Sequence, residues 1–338
     1  MLMHDEVDAR TRRDIYFEKS DWKKFCLSEI YGAEKNTWNV SSRLDLAQDS
    51  ACKSLENTAK CNKDAGGVTN CVPEFYCYRI KALKRIPADK KIIWQYWADG
   101  FDSPNIPELV KVCLRSVEKH TPQYLLFRLS DENLNEWIEM PCWLYKKKTI
   151  MSKAHFADLL RCMLLSLYGG LWLDASVFLT GEIPEYIFKE NFFMYRRDDS
   201  EKDRIYWEST FANYFCWSPQ FAVRSLIGVM YAKDKCKVVS DFASILLAFW
   251  EHNDRASDYF FFQILIEEYF RKHPESEPKI FNDTVPHLLR QYINENPAPG
   301  YSFSDILRKT TVHSLNYKSD VACRNLLDLF PEYRKYLN

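Results

Sequence analysis

The chain has 338 residues, of which 46% are apolar and 28% charged, and a formal net charge of −1. That balance suits a soluble globular protein with one large domain, or one domain and an appendage, and argues against a general nucleic-acid binder. No run of about eighteen apolar residues occurs, so no membrane-spanning helix is expected, and P-loop, hydrolase-elbow, zincin and dinucleotide-binding strings are absent.

The opening MLMHDEVDARTRRD has no apolar centre, so it does not read as a signal peptide and the expected compartment is the cytoplasm. The eleven cysteines, an odd number, are then expected as thiols. Cys113, Cys142, Cys162, Cys216, Cys236 and Cys323 stand singly among apolar residues and read as small core side chains. Cys52, Cys61, Cys71 and Cys77 cluster without a C-x-x-C pair, which leaves open a zinc site, loose thiols or disulfides. Residues 1–40 suggest one or two short amphipathic helices, and 41–73 a polar loop or insertion. Residues 1–85 are taken as a helical and loop-rich appendage to a domain at 86–338.

KKIIWQYWADG, 90–100, reads as a buried first strand ending in a loop. Strand ends of this kind line nucleotide pockets, so Gln95, Trp97, Asp99 and Gly100 are candidates to meet a base or ribose, or are simply parts of a central strand. Pro107 opens a helix with Leu109, Val112, Cys113 and Val117 on one face. A strand follows at 124–129, then a helix capped at Ser130 and running to about Glu139. From 90 to 180 the order β-α-β-α-α-β is that of a nucleotide-binding half in an α/β fold.

The central stretch is KAHFADLLRCMLLSLYGGLWLDASVFLT, 153–180. Phe156, Leu159, Leu160, Met163, Leu164, Leu167 and Tyr168 recur at helical period, with His155, Asp158, Arg161 and Cys162 on the other side. Gly169-Gly170 ends the helix. In the strand that follows, Leu171, Leu173, Ala175 and Val177 face one way and Trp172, Asp174, Ser176 and Phe178 the other. Asp174 and Ser176 thus emerge together. A carboxylate and a hydroxyl there suit a divalent cation that neutralises a diphosphate, or Asp174 is satisfied by turn amides.

Ile183-Pro184-Glu185 starts a short helix. NFFMYR, 191–196, and FANYFCWS, 211–218, read as strands around a charged loop. Helices are expected at 220–231, 237–252, 256–273 and 320–336. Asp258, at the start of the third, complements the helix dipole.

The central stretch resembles the core motif of the capsular polysaccharide synthesis family of glycosyltransferases, relatives of glycosyltransferase family thirty-two and of sugar-transferring bacterial toxins. That group shows S-D-x-x-R on a helix, then Y-G-G-[IL]-x-[LI]-D-x-D. Here Asp158 and Arg161 match the helix element, and Tyr168-Gly169-Gly170-Leu171-Trp172-Leu173-Asp174-Ala175-Ser176 the strand, with Ser176 at the place of the second aspartate. KKIIWQYWADG is similar to the family's opening I-W-x-x-W strand, Asp258-Tyr259-Phe260 to a D-Y-F element, and VHSLNYK at 312–318 to a closing H-x-L-x-[YW]-K.

The resemblance implies a GT-A type fold, a mixed and mostly parallel sheet flanked by helices. It implies retaining transfer of a hexose from a nucleotide-diphospho-sugar, UDP favoured, to a glycan or lipid-linked glycan acceptor. It also implies a divalent cation, Mn2+ ahead of Mg2+, held by Asp174, Ser176 and His313. Trp94, Gln95, Trp97, Asp158, Arg161, Asn213 and Lys318 are the implied donor contacts, and Asp174, Arg161 and Asp258 the catalytic set, with Asp258 facing the acceptor or the reacting sugar. Peripheral association with a membrane assembly at the inner face goes with that role. Two other uses of the motif stay open: a toxin-like protein glycosyltransferase, and a non-catalytic nucleotide-sugar or carbohydrate-binding module, which Ser176 permits.

Overall fold

A computed structural model describes residues 80–87, 90–256 and 258–337. The expectations for 1–79, including the amphipathic helices, the polar loop and the Cys52, Cys61, Cys71 and Cys77 cluster, lie outside the described residues.

The frame is a five-stranded sheet. Its first three strands are β2 (Ile92–Tyr96), β3 (Leu125–Leu129) and β5 (Gly170–Leu173); β2 lies between the others and runs parallel to both. β8 (Ser225–Ala232) then pairs antiparallel with β5 and with the outer strand β7 (Phe192–Arg196). The sheet is therefore mixed, with two parallel and two antiparallel pairings, rather than mostly parallel. Two small pairs complete the strands: β1 (Lys81–Ala82) with β4 (Ile138–Glu139), and β6 (Val177–Leu179) with β9 (Val312–Ser314).

The helix of the central stretch, α3 (Lys153–Tyr168), has its expected bounds; α1 (Glu108–His120) and α2 (Cys142–Lys148) precede it. Local signals suffice for α3. Ser152 caps it by accepting from the His155 amide at 3.1 Å. Gly169 (φ 65°) and Gly170 (φ 97°) end it in a conformation that L side chains avoid. Close approach requires glycine at both places as well: a Cβ on Gly169 would lie 2.8 Å from the Asp234 nitrogen, and one on Gly170 3.0 Å from Ile92 Cβ. The face with Asp158, Arg161 and Cys162 is buried, not solvated. It turns toward the sheet, while α3 also packs on α5 (Lys237–His252).

Strand alternation sorts the core as expected. Trp172 joins Trp94, Met194 and Met230 against α3, α5 and α6 (Phe261–Lys272), whereas Leu171 and Leu173 join Ile93, Phe193 and Val229 on the opposite face. A third cluster holds α7 (Leu288–Ile293), α8 (Phe303–Lys309) and α9 (Asp320–Leu329) together. Among the described residues no helix is long and apolar enough to cross a membrane.

Several elements differ from expectation. The strand after α3 breaks at Asp174, where the Val177 amide donates to the Asp174 carbonyl at 2.9 Å and turns the chain out of the main sheet into β6. Residues 211–218 form turns and irregular chain, because the Arg197 guanidinium takes up the Tyr214 and Cys216 carbonyls that a ladder would use. Just before them, α4 (Arg204–Thr210) occupies part of the expected charged loop. The stretch expected as a helix at 220–231 contains β8, whose two buried faces hide the period of two. Residues 130–139 hold a single 3-10 turn, Leu134–Glu136, and the short strand β4. Of the cysteines expected in the core, Cys142 is exposed and Cys216 half-buried.

Candidate active site

The carboxyl ends of β2 and β5 open into a cavity of about 770 Å3, lined also by α3, β8, the turn before α6 and the segment after β9. Such a position, outside the strand ends of an open sheet, is where α/β folds place ligands.

At its base lies a network of four side chains. The Arg161 Nη2 donates to Asp174 Oδ1 at 3.1 Å, and the Trp172 Nε1 donates to the same oxygen at 2.7 Å. The Arg161 Nη1 stands 3.2 Å from Asp158 Oδ1, and its guanidinium lies 5.1 Å from the Trp172 ring centroid. Arg161 and Asp158 are buried, whereas the Asp174 side chain keeps 37% of its surface exposed to the cavity. Asp174 Oδ2 has no hydrogen-bond donor among the described residues and rests over Gly228, where a Cβ would come within 2.9 Å of it. The glycine in β8 thus makes room for the carboxylate.

Burial pushes the Asp158 carboxyl up to about 7, and the neighbouring Asp174 charge adds to the rise while Arg161 opposes it. Arg161 Nε and Nη1 have no hydrogen-bond partner among the described residues. A buried cation with spare donors behind one half-open carboxylate is an arrangement that an anionic ligand completes.

Asp158, Arg161, Asp174, Ser176, Trp97 and Lys318 all line the cavity. The Trp97 ring packs edge-on against Tyr317 at 5.4 Å, joining the loop after β2 to the segment after β9. Asp99 lines it too, held by Lys153 at 2.6 Å in an exposed pair of small energetic weight.

The structure does not bring the other expected residues there. Trp94 is buried in the core, donating to the Gly169 carbonyl at 3.0 Å and packing on Phe127, Trp137 and Tyr168. Gln95 is fully buried on the other face of β2 and accepts from Arg128 Nε at 3.3 Å. Asn213 sits half-buried in the irregular segment that replaces the expected strand. Asp258 accepts from the Phe260 amide at 2.7 Å in a turn ahead of α6, so it organises the helix start while its neighbours Tyr259 and Phe260 reach the cavity.

His313 is the largest departure. It is fully buried opposite Phe178, its Nε2 is 3.0 Å from the Thr180 hydroxyl, and burial holds its ring down at about 3. Alternation along β9 gives the cavity Ser314 in its place. Among the described residues no three His, Cys, Asp or Glu side chains gather as a metal site.

The cavity also takes Tyr259 of the D-Y-F element and residues outside the sequence expectations: Gly228, Gln263 and Arg290 among them. A lone glycine in an apolar run signals a close approach, so Gly228 was detectable; nothing in the sequence marks Arg290.

The sequence model of the family described as "Capsular polysaccharide synthesis protein" matches residues 72–329, most of the chain. The chain belongs to this family. The match spans every residue of the capsular-family cavity described above. No curated protein matches. Among solved structures, the chain is similar to "PaToxG Glycosyltransferase" at 9% identity and a TM-score of 0.33, over 87% of this chain and 97% of that chain.

Proposed function

We propose that this capsular-family chain is a glycosyltransferase moving a hexose from a nucleotide-diphospho-sugar to a glycan hydroxyl during capsule synthesis. The observation that carries the reading is Asp174: a carboxylate at a strand end, pinned from behind by Arg161 and Trp172, with its free oxygen facing a cavity large enough for a donor and an acceptor. The pattern is DxD-like, with Ser176 in the second place, and the fold is read as GT-A type, related to glycosyltransferase family thirty-two.

The donor set suits a divalent cation that arrives with the diphosphate, Mn2+ or Mg2+, and not one held by protein alone. Asp174 Oδ2 and Ser176 would hold it together with phosphate oxygens, a sparse protein share that is common where substrate phosphates complete the sphere. His313 takes no part. When bound, the cation neutralises charge on the leaving diphosphate.

The remaining work falls to side chains. Arg161 holds Asp174 in place and places positive charge beneath the diphosphate. Lys318, exposed at the rim with no ion pair among the described residues, meets the phosphates from above. Asp158 orients Arg161. Trp97 and Tyr317 offer ring faces to the base or a sugar.

In a retaining transfer the acceptor oxygen bonds to the anomeric carbon on the face that the diphosphate leaves. The C–O bond breaks with its electron pair going to the phosphate oxygen, and that oxygen takes the acceptor proton, so no separate base is needed. UDP is the favoured carrier, a glycan or lipid-linked glycan the acceptor, and the cytoplasmic face of a membrane assembly the setting.

Incubating the full chain with a panel of nucleotide sugars, with and without Mn2+, tests this. Slow donor hydrolysis that needs the cation is expected with one donor. Binding of a donor without any turnover, with glycan acceptors also supplied, would instead make the chain a binding module.

A further inference from the structure

Besides Arg161, Lys318 and Lys153, the same cavity holds a cation that the donor chemistry does not use. Arg290, on α7, lines the cavity with its guanidinium stacked 3.9 Å from the Phe211 ring centroid. Its guanidinium makes no hydrogen bond or ion pair among the described residues, and burial lowers it to about 10. The carboxylates near the donor end do not balance it. Asp158 and Asp174 pair with Arg161, and Asp283 is bound on both oxygens by Arg197. The ionisable group beside Arg290 is the Tyr214 phenol, 5% exposed, whose hydroxyl has no hydrogen-bond partner among the described residues. His287, next along the wall, is held neutral by burial, and its Nδ1 is 2.7 Å from the Asp283 carbonyl.

Stacking occupies the face of a guanidinium and leaves its edge donors free. A half-buried cation without an anionic partner, beside a buried hydroxyl that has no partner among the described residues, is an arrangement that a ligand's anion completes. The Tyr259–Phe260 turn separates this place from Asp174: Tyr259 lies within the field of Asp158 and Asp174, and the Phe260 ring is 6.1 Å from Tyr214.

We propose that Arg290, Tyr214 and Phe211 form an oxyanion subsite that selects a glycan acceptor bearing a carboxylate or phosphate group. Phe211 offers its ring as a platform, Arg290 gives a two-pronged contact to the anion, and Tyr214 donates a further hydrogen bond. This deepens the glycosyltransferase reading and rests on it for the word acceptor; the anion site itself does not.

The test is calorimetric titration of the full chain with methyl glucuronide, glucose 6-phosphate and methyl glucoside, and separately with UDP and Mn2+. At least one charged sugar is expected to bind about tenfold or more tighter than the neutral one, and the tighter of the two identifies the anion as carboxylate or phosphate. Arg290→Met removes the preference; Arg290→Gln, which keeps length and polarity, is the second variant should the first not fold. Equal binding of charged and neutral sugars by the unaltered chain, or an undiminished preference in either folded variant, overturns the subsite. If the preference follows Arg290 but UDP does not bind, the subsite stands and the donor reading falls.

Discussion

Two buried arginine–aspartate pairs stand on opposite sides of β8, and they differ in how completely they are satisfied. Arg197 and Asp283 are wholly buried. Arg197 Nε and Nη2 reach the two Asp283 oxygens at 3.0 and 3.1 Å, and the remaining donors go to the Cys216 and Tyr214 carbonyls at 3.0 and 2.8 Å. Arg161 is as deeply placed, but its Nε has no partner among the described residues and its Nη1 has only the 3.2 Å ion pair with Asp158, while Asp174 turns one oxygen to the cavity. The complete pair fixes a loop; the incomplete one leaves a carboxylate partly open to the cavity. A buried charge network is a brace where every donor is used and a site where some are left over.

The largest expected effect breaks the brace. Asp283→Ala strands a buried guanidinium and should cost about 3–5 kcal/mol of stability in a denaturant titration. A loss below about 1 kcal/mol would mean that the Arg197 pair is no brace. Arg161→Lys comes next and falls on turnover. The lysine keeps the charge but cannot span Asp158 and Asp174, so donor hydrolysis should drop about 10- to 100-fold with a much smaller change in stability. An equal drop in both would erase the distinction between the two pairs.

Asp158→Asn sharpens the contrast through pH. Asp158 titrates near 7 in the fold and near 3.9 unfolded, so the native state holds a proton that the unfolded chain has released. Its contribution is present below about pH 4 and lost as pH rises to about 7. The variant should match the parent near pH 4 and exceed it by on the order of 3 kcal/mol at pH 8, read from urea midpoints at each pH. A constant difference across that range would contradict the buried carboxyl.

The smallest effect concerns His313. His313→Leu loses the Thr180 contact and should cost about 1 kcal/mol while leaving the Mn2+ dependence of hydrolysis unchanged. A shifted Mn2+ midpoint would place the histidine at the metal after all.

How much of this was legible in the sequence depended on whether the cause was local. The bounds of α3 follow from its apolar repeat, the Ser152 cap and the glycine pair, all within the segment. The sorting of Leu171, Trp172, Leu173 and Asp174 follows from alternation. The segment 211–231 was misread because its conformation is set from outside: Arg197 takes its carbonyls and β5 and β7 pair with β8 on both edges. Of the residues that line the cavity, Asp158, Arg161, Asp174, Ser176, Trp97 and Lys318 carry a motif or strand-end signal in the sequence. His313 lies outside the cavity because alternation lets either it or Ser314 face that way, and the pairing of β9 with β6 decides which. Arg290 carries no sequence signal, since its meaning lies in a guanidinium without a hydrogen bond or ion pair among the described residues.

The central proposal is that Asp174 holds the donor diphosphate through a divalent cation, and titration of the parent chain and Asp174→Ala with UDP in the presence of Mn2+ tests it most directly. The parent should bind, and the variant, with its thermal midpoint near that of the parent, should bind at least about 100-fold more weakly, because it lacks the Asp174 oxygen that would hold the cation. UDP binding of equal strength in both proteins would contradict it.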